Sequence, residues 1–468
     1  MDAGFANSET RETPMHVGGL LLLRPPEGAG PDYVRELYSG FTSTKEFRPP
    51  FDVKLVHPPE RLGFPHWTKD EDLDIEYHIR HSALPRPGRY RELFILVSRL
   101  HGTLLDRSRP LWEYHLIEGL ETGQIALYSK LHHALLDGVA AMRLLQSSLS
   151  EDPKARVPNP WSKEAARPRR EAPRVAVGSP LQAVADATKN QLANVSGAVR
   201  ALVKAFGARQ RTSSERMALP FEAPRSPLNV RVTGARRFVA QSYSLARVDA
   251  ARSVFGATVN DIVLAMCSSA LRRYLEEYGG GVPERPLTSM VPVSVRPSDG
   301  EEFGNAVSVA FVNLATHLAD PEDRLKVIQT SIRDGRSLIQ ELSFAEVTLY
   351  TALLAAPALT PALLGLGALL PATNVVISNI PGPSKTMYWN GARLDGMYPV
   401  SIVFHGLAVN ITITSYAGSL DFGIVACRRS VPRVQRIIDF LEDGLVEIEE
   451  LAARKRGASG DLIGGSVR

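Results

Sequence analysis

A Pro- and Arg-rich stretch from Glu151 to about Pro227 divides this chain, and no hydrophobic core absorbs such a segment easily. Pro153, Pro158, Pro160, Pro168, Pro173 and Pro180 are interleaved there with Lys154, Arg156, Lys163, Arg167, Arg169, Arg170 and Arg174. Proline removes backbone donors and like charges repel, so the stretch reads as an exposed connector. Within it Leu181, Val184, Leu192, Val195, Val199, Leu202 and Phe206 recur at helical spacing, which predicts one amphipathic helix packed on a domain or on a membrane. The 468 residues then divide into a domain over 1–150, the connector over 151–227 and a second domain over 228–468.

Both flanks alternate strand-like and helix-like patterns. Trp112 to Glu118 and Ile125 to Leu131 are strand runs separated by a Gly119 to Gly123 turn, and Val139, Met142, Leu145 and Leu149 follow at helical spacing. Beyond the connector, helices are expected over Thr258 to Tyr278, Pro321 to Leu342 and Val431 to Leu451. Strands are expected over Leu287 to Val295, Val307 to Leu314, Asn374 to Ile380, Val400 to Phe404, Leu407 to Ser415 and Leu420 to Cys427. The mixture is an α/β class with mixed sheets, and the Gly-x-Gly-x-x-Gly fingerprint of a dinucleotide-binding fold is absent.

Composition removes several functions. Lys plus Arg number 54 against 50 Asp plus Glu, and the basic residues concentrate in the connector, so nucleic acid is not a called-for partner. Cys267 and Cys427 have no neighbouring cysteine, which gives neither a disulfide framework nor a Cys-rich metal site. The first residues carry an acid and no basic signal-peptide region, so a cytoplasmic location is expected. Val347 to Ser384 contains no Asp, Glu, Lys, Arg or His, but Pro357, Pro361 and Pro371 cut it into pieces shorter than the ~20 residues of a membrane span. A buried core helix with a following strand and a lipid-facing surface both fit that stretch.

Chemistry concentrates in His132-His133-Ala134-Leu135-Leu136-Asp137-Gly138, placed where a strand gives way to a helix. A neutral imidazole is matched to proton transfer near neutral pH, and on an extended backbone only one of two adjacent histidines faces a given reacting atom. His133 is the better base, leaving His132 to support the turn or line the channel. Asp137 either orients the imidazole or fixes the loop by pairing with a distant arginine. Gly138 gives the turn its backbone freedom. Adjacent histidines serve metal geometry poorly, so no metal is called for. Asp421-Phe422-Gly423 lacks every other kinase element, and no Gly-x-Ser-x-Gly elbow supplies a serine nucleophile.

The histidine segment resembles the His-His-x-x-x-Asp-Gly signature of the wax ester synthase and acyl-CoA:diacylglycerol acyltransferase family. Other motifs follow in family order: Pro14-Met15-His16-Val17-Gly18, Arg109-Pro110-Leu111-Trp112-Glu113, Pro227-Leu228-Asn229, Thr258 to Ala265, Pro292 to Arg296, Gly304-Asn305 and Ser378 to Pro383. The resemblance implies two chloramphenicol acetyltransferase-like domains joined by a crossover, with a channel between them and the histidine at its middle. It implies His133 as the base and Asp137 as a structural partner of Arg296.

Asn260, Ser378 and Asn379 are the polar members of the other motifs, open to lining an oxyanion region or to capping helices and turns. Pro110-Leu111-Trp112 reads as packing under the histidine hairpin. The resemblance further implies a long-chain acyl transfer from acyl-CoA, as co-substrate, to diacylglycerol or a long-chain alcohol. No prosthetic group is needed, and contact with the inner membrane or a lipid droplet is peripheral. Rival readings are transfer to another hydroxyl or an amine, and a non-catalytic lipid-binding protein. Acceptor preference, acyl length and oligomeric state are not written in these motifs.

Overall fold

A computed structural model describes residues 2–56, 66–136, 138–165, 218–295, 306–340 and 368–464. The helix expected in the connector, Asp137, Arg296, Gly304-Asn305 and residues 347–367 of the uncharged stretch lie outside the described residues.

The first sheet joins β1 (His16–Arg24), β4 (Ile79–Ala83), β5 (Trp112–Glu118), β6 (Ile125–His132), β11 (Tyr388–Trp389) and β12 (Ala392–Val400), in the order β11-β12-β1-β6-β5-β4. The second joins β7 (Arg236–Ser244), β8 (Thr288–Val295), β9 (Ala306–Asn313), β10 (Val375–Pro381), β13 (Val409–Tyr416) and β14 (Ser419–Cys427), in the order β7-β14-β13-β10-β8-β9. A small hairpin, β2 (Val53–Val56) with β3 (His66–Lys69), stands apart. Both main sheets are mixed: β4 runs parallel to β5, and β10 parallel to β8 and β13. Sheet membership departs from chain order, because Tyr388–Val400 leaves the C-terminal part of the chain and pairs with β1.

Helices α1 (Asp2–Ser8), α2 (Tyr33–Thr42), α3 (Ile75–His78), α4 (Tyr90–Gly102) and α5 (Gly138–Gln146) belong to the first half. Helices α6 (Leu245–Phe255), α7 (Val259–Tyr278), α8 (Pro321–Gln340) and α9 (Gln435–Gly464) belong to the second. α7 begins at a capping box in which Asp261 N–H donates to Thr258 Oγ1 and Thr258 N–H to Asp261 Oδ2. It is apolar nearly all round because Ile262 to Leu271 lies inside a core shared with Ile411, Phe422, Ile437 and Leu441. No single described helix is long and apolar enough to cross a membrane. The bent pair α6 and α7 passes that test only jointly, and α7 is core.

The two sheets pack against each other through Leu20, Leu22, Tyr128, Phe238, Tyr398, Val400 and Val425. The Asp-Phe-Gly triplet lies at this junction. Asp421 accepts from Met397 N–H of β12 at 2.8 Å and from the Ser242 hydroxyl at 2.7 Å. A Cβ built on Gly423 would overlap the Pro399 carbonyl, so glycine is what lets the sheets approach. α4 clamps the same seam, with Phe94 edge-on to Phe238 and Ser98 Oγ accepting from Phe238 N–H at 2.8 Å.

Two expected boundaries move. The strand expected over Val400 to Phe404 is β12, which ends at Val400; Phe404 makes only an isolated bridge with Leu407. Arg393, Asp395 and Pro399 hide β12 from an apolar pattern, and Pro399 is tolerated because short β11 leaves that edge unpaired. The last helix begins at Gln435 rather than Val431, since Arg433 adopts the left-handed φ of 53°.

Candidate active site

β6 delivers its last residue, His132, between β1 and β5. His132 pairs with His16 in register and donates its N–H to Leu111 O at 2.9 Å, while His133 N–H reaches Met15 O at 2.8 Å. The Pro-Met-His and Pro-Leu-Trp motifs thus supply the two carbonyls that fix the histidine backbone. Trp112 holds the second motif in place, buried with its ring stacked on His78 and its Nε1–H donating to Phe51 O. Chain direction then changes through a turn at 133–135, and Gly138 opens α5.

The two histidines separate as alternation requires: His132 is fully buried, and His133 is half-buried. Ala134 N–H donates to His132 Nδ1 at 3.0 Å, so Nδ1 is the acceptor and the neutral ring carries its proton on Nε2. That Nε2 faces Glu9 Oε1 at 3.5 Å, a charge contact longer than a formed hydrogen bond. Glu9 also accepts from Met15 N–H at 2.9 Å and from Arg107 at 3.1 Å. Burial alone would raise its carboxyl pKa; His132, the Met15 N–H and Arg107 outweigh burial and hold it below the usual carboxylate range.

A second buried layer supports the first. His16 Nε2 lies against His101 O, His101 Nδ1 accepts from the Tyr128 hydroxyl at 2.8 Å, and His101 Nε2–H donates to Ser401 O at 2.8 Å. Burial pushes His101 down to about 3 and His16 well below its ordinary value, so both rings are neutral near pH 7. Lys130, on the same face of β6 as His132, donates to Thr103 O at 2.6 Å and is pushed by burial down to about 8.

His133 has an apolar wall. The Phe5 ring of α1 stacks on it with centroids 4.1 Å apart and planes 24° from parallel. Phe5 packs with Met15, Ala141, Ile402 and Phe404, drawing on α1, the residue just before β1, α5 and the loop after β12. Phe5 and Glu9 are functional candidates that motif reading missed. Both precede the Pro-Met-His motif in a stretch with no periodicity, and the one available signal was an acid and an aromatic just ahead of a buried motif.

The remaining expected residues are scattered over the second half. Asn260 sits half-buried in the first turn of α7, beside the Thr258–Asp261 capping box. Ser378 and Asn379 lie half-buried near the end of β10, where Asn379 Oδ1 is buried with no hydrogen-bond partner among the described residues. That end of β10 approaches the histidine helix: Ile380 packs on the same core as Leu136 and Leu145, and Gln146 of α5 donates to Pro381 O at 3.4 Å.

A base candidate at the end of a strand in a fold of two mixed sheets has counterparts. Residues 1–263 match the model of the wax ester synthase/diacylglycerol acyltransferase catalytic domain, and residues 303–449 match the WS/DGAT C-terminal domain. A probable diacylglycerol O-acyltransferase of Mycobacterium tuberculosis (strain H37Rv) is 46% identical over 452 residues, covering 96% of this chain and 98% of the relative. The O-acyltransferase WSD of Acinetobacter baylyi is 39% identical over 459 residues, covering 97% of each. The solved wax ester synthase/diacylglycerol acyltransferase from Marinobacter aquaeolei VT8 superposes with a TM-score of 0.77 at 41% identity, over 97% of this chain and 98% of that one. The first condensation domain of the calcium-dependent antibiotic synthetase shares the fold alone, with a TM-score of 0.55 at 16% identity over 96% and 93% of the two chains. With the motifs, the two-sheet fold and these whole-length likenesses in agreement, the chain belongs to the wax ester synthase/diacylglycerol acyltransferase family.

Proposed function

We propose that this enzyme moves a long-chain acyl group from acyl-CoA to the hydroxyl of diacylglycerol or of a long-chain alcohol, giving triacylglycerol or wax ester, with His133 as general base. The observation that carries the reading is the posture of His133: half-buried, its backbone fixed by Met15 O, its ring against Phe5 in an apolar wall suited to aliphatic chains.

The chemistry needs only this chain and its substrates. The imidazole takes the hydroxyl proton as the oxygen attacks the thioester carbonyl carbon. The tetrahedral oxyanion collapses, the C–S bond breaks, and the imidazolium returns the proton to the leaving thiolate. Asn379, Ser378 and Asn260 are the proposed donors toward the oxyanion, and Gly138 shapes the turn; for Asp137 and Arg296 the proposal keeps the structural role that the sequence motifs imply. Neither a metal nor a prosthetic group enters this scheme, and acyl-CoA is a co-substrate.

Contact with the inner membrane or a lipid-droplet surface is peripheral, from the cytoplasmic side. Leu369 and Leu370, inside the uncharged stretch, are 70% and 52% exposed, as a lipid-facing surface requires. The test is product identification: palmitoyl-CoA supplied with hexadecanol or with dipalmitoylglycerol yields the corresponding ester. Acylation of an amine, or of neither acceptor, contradicts the reading.

A further inference from the structure

Five chain segments meet at one end of the seam between the sheets, and most of the charged side chains they carry there are arginines. Arg236, buried, donates to Glu12 O at 2.8 Å and Val403 O at 3.2 Å. Gly234 packs on the Arg11 carbonyl, and Gly102 at the end of α4 packs on the Gly234 carbonyl, which brings Arg99 one turn away. Arg428 N–H donates to Ala235 O at 3.0 Å. Arg237 pairs with Ala426 in the β7–β14 register, placing Arg237 and Arg428 diagonally on one face.

Among the described residues Glu12 is the one acid in contact with this group, and it is already shared by Arg231 at 3.7 Å and His405 at 3.4 Å. The guanidinium groups of Arg11, Arg99, Arg237, Arg428 and Arg429 have no ion-pair or hydrogen-bond partner among the described residues. Burial first, then the neighbouring Arg428 and Arg91, disfavour the charge on Arg237, and a bound anion offsets that repulsion.

Position gives the cluster its meaning. Glu12 lies three residues before Met15, whose carbonyl holds His133, so the rim opens onto the segment leading to the base. Guanidinium groups recognise phosphate oxygens through paired, charge-assisted hydrogen bonds, and a cluster suits a ligand bearing several phosphates. We propose that the seam rim formed by Arg11, Arg99, Arg231, Arg237, Arg428 and Arg429 holds the phosphate groups of the acyl-CoA donor while its thioester reaches His133. The inference rests on the acyl-CoA reading above and names the part of the molecule that receives the donor.

Calorimetric titration of the full chain with CoA, beside R231A/R428A whose fold is checked by circular dichroism, tests it. The double variant is expected to bind CoA at least ~10-fold more weakly, as loss of two charge-assisted contacts implies. Its KM for palmitoyl-CoA rises with kcat little changed, and its turnover of palmitoyl-pantetheine, which lacks the nucleotide, matches the wild type. A folded variant that binds CoA like the wild type overturns the rim alone. Intact CoA binding with lost adhesion to phosphatidylglycerol vesicles overturns it in favour of lipid headgroups. Wild-type protein that binds CoA through the rim yet transfers no acyl group overturns the transferase reading alone.

Discussion

Glu9 and His132 face each other across 3.5 Å with side chains each 1% exposed. The pair couples the N-terminal segment to the histidine turn, since Glu9 also holds the Met15 N–H while Met15 O holds His133. A carboxylate at this place favours the Nε2–H form of His132, which leaves Nδ1 free to accept from Ala134 and set the turn.

Glu9→Gln keeps the shape and removes the charge. Its kcat is expected to fall by about 10-fold, the size of one weakened charge-assisted contact. Stability follows the sign of the shift. The folded carboxyl sits below its ordinary value, so its contribution is fully present above about pH 5 and is lost as pH falls through the folded value. Urea denaturation at pH 7 and at pH 4 measures this: the gap between wild type and E9Q is wider at pH 7. An equal or wider gap at pH 4 contradicts the placement.

Phe5→Ala removes the ring stacked on His133. An aromatic pair contributes roughly 0.5–1.5 kcal/mol beyond its buried area, so turnover is expected to drop by about 2- to 12-fold through loss of ring orientation. Steady-state kinetics distinguish this from a packing defect. The fall appears in kcat while the thermal midpoint moves little, because Phe5 is only half-buried.

Gly423→Ala tests the junction of the two sheets. The added methyl overlaps the Pro399 carbonyl, a backbone atom that cannot swing away, and overpacking of this kind costs about 3 kcal/mol. Calorimetry is expected to show a lowered midpoint or loss of soluble protein. A variant as stable as the wild type would mean the sheets do not meet as described.

Much of this was legible in the sequence where one residue pattern decides the outcome. The hairpin of β5 and β6 and helix α7 announce themselves by alternation, helical spacing and a Thr-x-x-Asp cap. The strand-to-helix turn carrying His133 was equally plain. What stayed hidden depends on contacts far apart in the chain. Strand β12 pairs with β1 through a sequence holding Arg393, Asp395 and Pro399, and only the sheet reveals it. Glu9 and Phe5 carry no motif, and their proximity to the histidines arises from the path of the chain between α1 and β1. The Asp421 triplet carried a misleading motif whose real work is joining two sheets.

The most direct test of the central claim is thiol release from palmitoyl-CoA by the wild type and by His133→Ala, each with hexadecanol and with dipalmitoylglycerol. Release that depends on acceptor and falls by roughly 10²–10⁴ in a folded H133A protein is the predicted result. Full activity in H133A would contradict the assignment of His133 as the base.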